Sequence, residues 1–206
     1  MKLLYAPGAC SLGIHIILEE IGAFYEAQAV NLRAGEHFTT EFREINPKAK
    51  VPVLVLDDGS ALTEWLAIAL YLAEQEPAAG LWPPGPLERG RALEAMAYIN
   101  SFMHGHGFAR MFRPERFAPD AGQHETVRTE GRRIFAEGFE LIAGLLGERD
   151  YLLGTFSIAD AALFYVSFWG EGRKTLELPP RIAAHYARML ERPAVRRAMI
   201  AEGLAS

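Results

Sequence analysis

The chain has 206 residues, enough for one large domain or two small ones, and half of them are hydrophobic, as in an ordinary globular protein. Its formal net charge of −5 argues against nucleic acid or an anionic membrane as the main partner. A single cysteine cannot form an internal disulfide, and every long apolar run contains polar or charged residues. We therefore expect a cytoplasmic protein with no membrane span.

The first part of the chain alternates strand and helix signals. Residues Lys2 to Tyr5 predict a short strand that ends at Pro7-Gly8. Ser11 is a candidate N-cap for a helix with an apolar stripe at i, i+3, i+4, i+7 spacing, and Gly22 is its expected stop. Residues 27–32 predict a second strand.

The next segment adds a weak helix and a hairpin. Residues 38–45 predict the helix, and 51–56 a strand that turns at Asp57-Asp58-Gly59 and returns over 60–62. Thr63 is a candidate N-cap for a helix that runs to Gln75. This order predicts a mixed four-stranded sheet with helices on both faces.

A stretch rich in proline and glycine, Pro77 to Pro86, breaks the pattern and predicts a linker. Only helices are predicted beyond it, over 87–112, 125–146, 157–169, 180–191 and 193–202. We therefore expect an α/β domain over 1–77, a linker over 78–86 and an all-helical domain over 87–206.

Three segments resemble the glutathione S-transferase family, and most closely its bacterial beta class. They are KLLYAPGACSLGIHIILEEIG, NPKAKVPVLVLDDGSALTE and FSIADAALF, in that order. In the last, Ser157 and Asp160 predict a capping box with a structural role. The resemblance covers nearly the whole chain. It implies a thioredoxin-like N-terminal domain, a helical second domain, glutathione as co-substrate and a homodimer.

Cys10 and Ser11 lie at the start of the first predicted helix. The positive end of a helix dipole lowers the pKa of a cysteine and makes its thiol reactive. We predict that both residues are catalytic, with Ser11 donating a hydrogen bond to a thiolate, including that of bound glutathione. The alternative is structural, with Cys10 as a small buried hydrophobe and Ser11 as an N-cap only.

Val51 and Pro52 begin the strand before the hairpin. The simplest interpretation of this proline is an ordinary trans residue at a strand start. In the resembling family the bond before it is cis, and the preceding backbone pairs with glutathione as a short extra strand. The resemblance therefore implies that Val51 and Pro52 bind glutathione.

Glu64 and Trp65 follow Thr63 at the start of the next helix, where backbone N–H groups can bind an anion. In the family this turn holds the γ-glutamyl carboxylate of glutathione, and an acidic residue reaches its amino group. Glu64 and the backbone of Trp65 match these roles. The family has a small residue in place of Trp65, so the alternative is that this side chain packs against the other domain or a partner subunit.

Two histidines compete for the family's functional histidine in the second domain. His104 matches when positions are counted from the helix start, and His106 when they are counted from Gly107-Phe108; two solvated histidines are the alternative. No metal site is expected, because residues two apart do not share a helical face. The family often has an asparagine in this region that reaches glutathione in the neighbouring subunit; the matching position here is about Ala97, and Asn100 lies one turn away.

The resemblance implies an enzyme that conjugates glutathione to small hydrophobic electrophiles, a detoxification reaction. One alternative is a monothiol, glutathione-dependent thiol–disulfide oxidoreductase that uses Cys10. Another is a non-catalytic binding protein with the same fold, because fold alone does not determine activity.

Overall fold

The structure is a computed structural model that describes residues 1–205, and it divides into two compact units. The first unit comprises Met1–Trp82 together with the chain from Arg188 onward, and the second comprises Pro83–Ala187. The domains expected from the sequence, 1–77 and 87–206 with a linker over 78–86, stay a prediction. The sequence assigns the chain from Arg188 onward to the helical domain, whereas in the structure this segment packs with the first unit.

A mixed four-stranded sheet forms the centre of the first unit, as the sequence predicts. Its strands are β1 (Lys2–Tyr5), β2 (Glu26–Ala29), β3 (Val53–Val55) and β4 (Ala61–Thr63). Their order is β2-β1-β3-β4, with β1 parallel to β2 and the other pairs antiparallel. The register places Leu3 opposite Leu54 and Leu4 opposite Val53.

Helices pack on both faces of this sheet. Helix α2 (Thr40–Ile45) contributes Phe42 to a cluster with Leu4, Val30 and Val53. Because side chains alternate along a strand, Leu3 and Leu54 lie on the opposite face, where they are fully buried. Helices α1 (Ser11–Glu20) and α3 (Trp65–Gln75) contact each other, and they contact β1 and β4 respectively.

The two predicted N-caps of the first unit are wrong by one residue. Ser11 is the first residue of α1, and Cys10 occupies the N-cap position. Thr63 is paired with Val53 in the sheet, so Glu64 occupies the N-cap position of α3. In both cases the predicted capping residue has a partner outside its helix, Ala6 for Ser11 and Val53 for Thr63. The spacing of apolar residues along a helix does not predict such a partner.

The C-terminal helix α9 (Pro193–Ala201) packs on α1. Two arginines of this segment bind carboxylates of α1. Arg192 Nε lies 2.6 Å from Glu20 Oε1, and Arg197 Nε lies 2.5 Å from Glu19 Oε2. This packing explains why the segment belongs to the first unit.

The second unit has helices and no strand among residues 83–187. Its helices are α4 (Pro86–Tyr98), α5 (Ala109–Phe112), α6 (His124–Leu146), α7 (Ile158–Ser167) and α8 (Pro180–Glu191), the last of which crosses the unit boundary. The capping box of α7 is confirmed, since Asp160 Oδ2 accepts from Ser157 N–H at 2.9 Å. Within residues 1–205, no helix is both long and apolar enough to cross a bilayer.

The long helix predicted over 87–112 is interrupted by a π-helix, Ile99–Phe108. A second π-helix, Phe168–Gly172, follows α7. Gly107 permits a close approach of the first π-helix to α6, since a Cβ there would lie 3.0 Å from the backbone nitrogen of Phe135. Short 3-10 turns complete the chain at Glu36–Phe38, Pro77–Ala79, Pro114–Arg116 and Ala121–Gln123.

Candidate active site

Cys10 is buried against backbone groups at the start of α1. Its side chain is 8% exposed, and its thiol donates to the carbonyl oxygen of Val51 across 3.5 Å. Its own carbonyl accepts from the indole Nε1 of Trp65 at 3.0 Å. The thiol is therefore enclosed.

Burial raises the pKa of the Cys10 thiol to about 12, which contradicts the lowered pKa expected at a helix N-terminus. Backbone N–H groups of Ser11 and Cys10 and the charge of Lys50 act in the opposite direction, but loss of solvation is the larger effect. Glu202 adds a like charge that raises the pKa further. At neutral pH the enclosed residue is a thiol.

Ser11 is fully buried, and its hydroxyl serves the loop before α1. Its Oγ accepts from the N–H of Ala6 at 3.1 Å and donates to the carbonyl of the same residue at 3.3 Å. A hydroxyl has one proton to donate. The proton of Ser11 is directed to the carbonyl of Ala6, and the catalytic role of Ser11 stays a prediction.

A buried carboxylate from the C-terminal segment fixes the same loop. Glu202 Oε2 accepts from the N–H of Gly8 at 2.7 Å, and its Oε1 lies 3.0 Å from Nδ1 of His15. The side chains of Glu202 and His15 are at most 1% exposed. These two residues hold the turn that leads into Cys10.

The peptide bond between Val51 and Pro52 is cis, as the resemblance implies. The carbonyl of Val51 accepts from the Cys10 thiol. Its N–H has no hydrogen-bond acceptor among residues 1–205. The loop before it is clamped by Asn46, whose side chain donates to the carbonyl of Lys50 at 2.7 Å and accepts from the N–H of Lys48 at 3.1 Å.

Glu64 has an unusual backbone at the N-cap of α3. Its φ is 73°, in the left-handed region that favours glycine, so its conformation is strained. Its carboxylate is 63% exposed and accepts from Lys48 Nζ at 2.8 Å, while the same ammonium donates to Thr63 Oγ1. The hydrogen bond from Lys48 lowers the pKa of Glu64, which keeps the exposed carboxylate charged.

Trp65 is buried within the chain, with 4% of its surface exposed. Its indole bonds to the carbonyl of Cys10, so the side chain fills the space between the starts of α1 and α3. It therefore is not the exposed residue that a partner subunit would shelter. The first hydrogen bond of α3 runs from Ile68 N–H to the carbonyl of Glu64. The first backbone N–H groups of a helix have no acceptor within the helix.

The two candidate histidines lie in the π-helix of the second unit and face different surroundings. The ring of His104 packs edge-on against Trp169, with centroids 4.8 Å apart, and its Nδ1 lies 3.5 Å from the hydroxyl of Tyr165. His106 is exposed, and its Nδ1 lies 3.5 Å from Nη1 of Arg110. His104 therefore belongs to a buried aromatic cluster, whereas His106 belongs to the surface.

Asn100 is engaged inside the second unit. Its amide nitrogen donates to the carbonyl of Met96 at 2.9 Å, and its Oδ1 accepts from the hydroxyl of Tyr165 at 3.1 Å. Both functional ends of this side chain thus have partners within its own unit.

Comparison with known proteins identifies the family. The model of the glutathione S-transferase N-terminal domain matches residues 8–75. Glutathione S-transferase GstA of Escherichia coli O157:H7 is 38% identical over 99% of this chain and 100% of its own length. The chain belongs to the glutathione S-transferase family.

Solved structures agree with this family membership. A glutathione transferase homolog from Sulfitobacter, with bound glutathione, has a TM-score of 0.91 at 30% identity and 98% coverage of both chains. A bacterial beta class glutathione S-transferase of Sphingomonas chungbukensis has a TM-score of 0.87 at 33% identity and full coverage of both. The thioredoxin-like sheet domain and the helical region expected from the sequence are both confirmed.

The first unit of this family member contains six of the predicted site residues, with Pro52 joined to Val51 by the cis bond. Cys10 contacts Val51 and Trp65, and Glu64 adjoins Trp65 at the start of α3. Ser11 adjoins Cys10 but is turned towards the loop before it. Among residues 1–205, no three His, Cys, Asp or Glu side chains are grouped closely enough to hold a metal ion.

Sequence reasoning missed the residues that support this site. His15 and Glu202 are 187 positions apart, and no local pattern connects them. Lys48 and Asn46 lie close to Val51 in the sequence, so the Asn-Pro-Lys segment before the cis bond was a usable signal. Tyr165 meets both Asn100 and His104 but lies 65 and 61 positions from them, so no local pattern connects these residues.

Proposed function

We propose that this protein is a glutathione transferase that conjugates glutathione to small hydrophobic electrophiles. Membership of the glutathione S-transferase family and a homolog with bound glutathione support the co-substrate. The electrophile class comes from the resemblance. Catalysis then consists of holding the glutathione thiolate and placing it against the electrophile.

The observation that carries this proposal is the exposed, charged carboxylate of Glu64 at a strained N-cap. A strained residue persists where the surrounding structure requires it, and such residues cluster at ligand sites. The ammonium of Lys48 already occupies one oxygen of this carboxylate. The α-amino group of glutathione is a second ammonium of the same chemical kind, and we propose that Glu64 binds it.

The other proposed glutathione-binding groups belong to the first unit, and the candidate catalytic histidines belong to the second. The N–H and carbonyl of Val51, beside Pro52, are proposed to pair with the cysteinyl backbone of glutathione. The first turn of α3, including the backbone of Trp65, is proposed to bind the γ-glutamyl carboxylate. His104 is the preferred catalytic histidine, because its ring is held by neighbours, and His106 is the second candidate.

The raised pKa of Cys10 favours conjugation over the oxidoreductase alternative. A nucleophilic cysteine acts as the thiolate, and burial opposes that form at Cys10. A test of the alternative is incubation with oxidised glutathione. A mixed disulfide on Cys10, detected by intact mass, would support reductase chemistry.

One set of assays tests the proposal. We expect glutathione to bind in calorimetry at millimolar concentration or below, and at least one aryl or alkyl halide to be conjugated in steady-state assays. Absence of binding would refute the proposed site. Binding without turnover of any electrophile or disulfide would instead favour the non-catalytic binding protein.

We also propose a homodimer in a reducing cytoplasm. Burial of Trp65 removes one of the reasons for expecting a partner. Exposed leucines on α4, including Leu87 at 68% and Leu93 at 36%, now support it. A monomeric mass in light scattering at micromolar concentration would contradict the dimer.

A further inference from the structure

The side chain of Trp65 joins the start of α3 to the start of α1 within the first unit. Its indole Nε1 donates to the carbonyl of Cys10 at 3.0 Å, and the N–H of Gly13 donates to the same oxygen at 3.1 Å. A carbonyl oxygen has two lone pairs, so these two donors use both of them. The backbone of Cys10 is therefore fixed by its own helix and by a side chain 55 positions away.

The thiol of Cys10 is bound to a third segment. It donates to the carbonyl of Val51 across 3.5 Å, just before the cis bond. Among residues 1–205, the indole of Trp65 is the one side chain that hydrogen-bonds to Cys10. An aromatic ring covers a large area of its neighbours, and here both residues are buried, Trp65 at 4% exposed and Cys10 at 8%.

Thiol–disulfide exchange makes demands on Cys10 that conjugation does not. The attacking sulfur must become a thiolate and must reach a sulfur atom of the disulfide. A covering ring opposes both steps, because it removes the water that stabilises the thiolate and occupies space that a second sulfur needs. Conjugation as proposed uses the sulfur of glutathione itself, so an enclosed Cys10 does not oppose it.

We infer that the indole of Trp65 is a specificity-determining group, which closes Cys10 to disulfides and so selects conjugation over disulfide exchange. The selection rests on the proposed function, whereas the closure of Cys10 does not. In the exchange that is prevented, the Cys10 thiolate would form an S–S bond with one half of oxidised glutathione. The other half would leave as a thiolate and take up the proton that Cys10 had lost.

Graded substitutions at position 65 test the closure without any measurement of turnover. Trp65→Phe keeps an aromatic ring but removes the indole N–H, and Trp65→Leu removes the ring as well. Because the chain has one cysteine, the mass added by iodoacetamide reports on Cys10 alone. At pH 7.5 we expect alkylation to be about three- to tenfold faster in Trp65→Phe, the range that loss of one hydrogen bond gives, and faster again in Trp65→Leu. Equal rates in the wild type and both variants would overturn the inference.

Trp82→Phe is the matched control. Trp82 belongs to the same unit and makes no hydrogen bond to Cys10 within residues 1–205, so this substitution should leave the alkylation rate the same. An equal acceleration in Trp82→Phe and Trp65→Phe would show that the contact of Trp65 with Cys10 is not what encloses the thiol, and it would overturn the inference.

The dependence of alkylation on urea separates closure of the thiol from a general loss of stability. A thiol that reacts only after global unfolding shows the full urea dependence of unfolding, whereas a thiol exposed by local opening shows a much shallower one. We expect the shallow dependence in both Trp65 variants, at urea concentrations below the unfolding transition. Acceleration with the full dependence would leave Trp65 a structural role only and would overturn the inference.

Oxidised glutathione tests the selection. We expect intact mass to show a mixed disulfide on Trp65→Leu under conditions in which the wild type forms none, and Cys10→Ala in the Trp65→Leu background to abolish it. A variant that is alkylated faster but still forms no mixed disulfide would overturn the selection. A wild-type protein that conjugates nothing would refute the proposed function, while the alkylation rates still decide whether Trp65 closes Cys10.

Discussion

The starts of helices α1 and α3 lie side by side in the first unit, yet they have opposite properties. At α1, Cys10 is buried and bound to a carbonyl, and its pKa is raised to about 12. At α3, Glu64 is exposed and strained, and its pKa is lowered by Lys48. Both residues occupy an N-cap position, so the helix dipole alone does not explain the difference.

Solvation and hydrogen bonding explain it. The dipole at a helix terminus contributes about 0.3 to 1 kcal/mol at an exposed site. Removing an ionised group from water costs more than this when no opposite charge contacts it. Cys10 loses its water and receives no hydrogen bond from a cation, and the charge of Lys50 offsets only part of this cost, whereas Glu64 keeps its water and gains the ammonium of Lys48. The N-terminus of α3 is therefore the charged end of the site.

The largest expected effect is on the reactivity of Cys10. A pKa about three units above the usual 9.0 reduces the thiolate fraction at pH 7.5 about a thousandfold relative to an exposed cysteine. Alkylation of the unliganded protein by iodoacetamide should be slower in that proportion and should accelerate about tenfold per pH unit up to about pH 11. Rapid alkylation at neutral pH, followed by mass spectrometry, would show that the thiolate is favoured after all.

The next largest effect is expected for Glu202, whose carboxylate fixes the loop before Cys10. Glu202→Ala removes the acceptor for Gly8 N–H and the partner of His15, leaving buried polar groups unpaired. We expect a loss of about 2 to 4 kcal/mol in the free energy of unfolding, measured by urea denaturation.

Glu202→Gln is the matched control, since its amide can accept from Gly8 N–H and donate to His15 Nδ1. Glu202→Gln should lower the free energy of unfolding by less than half as much as Glu202→Ala does. Equal losses in the two variants would show that the carboxylate charge, rather than the hydrogen bonds, supports the loop.

Glu64→Ala tests the charged end of the site. The variant should bind glutathione about 10- to 150-fold more weakly in calorimetry, because a hydrogen bond to a charged group contributes about 1.5 to 3 kcal/mol. An unchanged Kd would remove Glu64 from the site. Glu19→Ala, which alters a carboxylate on α1 away from this turn, should leave the Kd the same.

A smaller effect distinguishes backbone strain at Glu64 from the contribution of its side chain to glutathione binding. Glycine adopts the φ of 73° at position 64 without penalty, whereas alanine does not. Glu64→Gly should therefore bind glutathione as weakly as Glu64→Ala. Its free energy of unfolding should be higher than that of Glu64→Ala by about 1 kcal/mol. Equal stability of the two variants would show that the backbone at Glu64 is not strained.

The smallest effect concerns Lys48 and pH. A carboxylate with a lowered pKa stays charged above that pKa and loses its charge as the pH falls through it. Lys48→Met removes the main cause of the lowering, so the loss of glutathione affinity on acidification should begin at a higher pH. Calorimetry between pH 3.5 and 6 measures this shift, and superimposable profiles for variant and wild type would contradict it.

Local patterns in the sequence predict most of the fold. The strand at Lys2–Tyr5 and the helix at Pro180–Glu191 have their predicted bounds, because each is set by an apolar pattern and a proline nearby. Both N-cap errors have one cause. Ser11 and Thr63 are good capping residues, but the first bonds to Ala6 and the second pairs in the sheet. Such tertiary contacts override local preference.

The site was harder to predict than the fold. The resemblance brought Cys10, Val51, Glu64 and Trp65 to one region, and the structure agrees. The pKa of Cys10 was not predictable, because it depends on burial by Val51 and Trp65, which are distant in sequence. The difference between His104 and His106 depends on contacts to Tyr165 and Arg110 that a linear pattern does not contain.

The packing of the C-terminal segment on α1 has a consequence for biosynthesis. A ribosome completes the sheet and α3 early, but α9 and Glu202 are translated more than a hundred residues later. Until then the Pro7-Gly8 turn lacks its carboxylate acceptor, and the face of α1 that α9 covers is open. The nascent N-terminal unit therefore reaches its final form only after the helical unit has been synthesised, and a fragment ending at Trp82 lacks part of its own core.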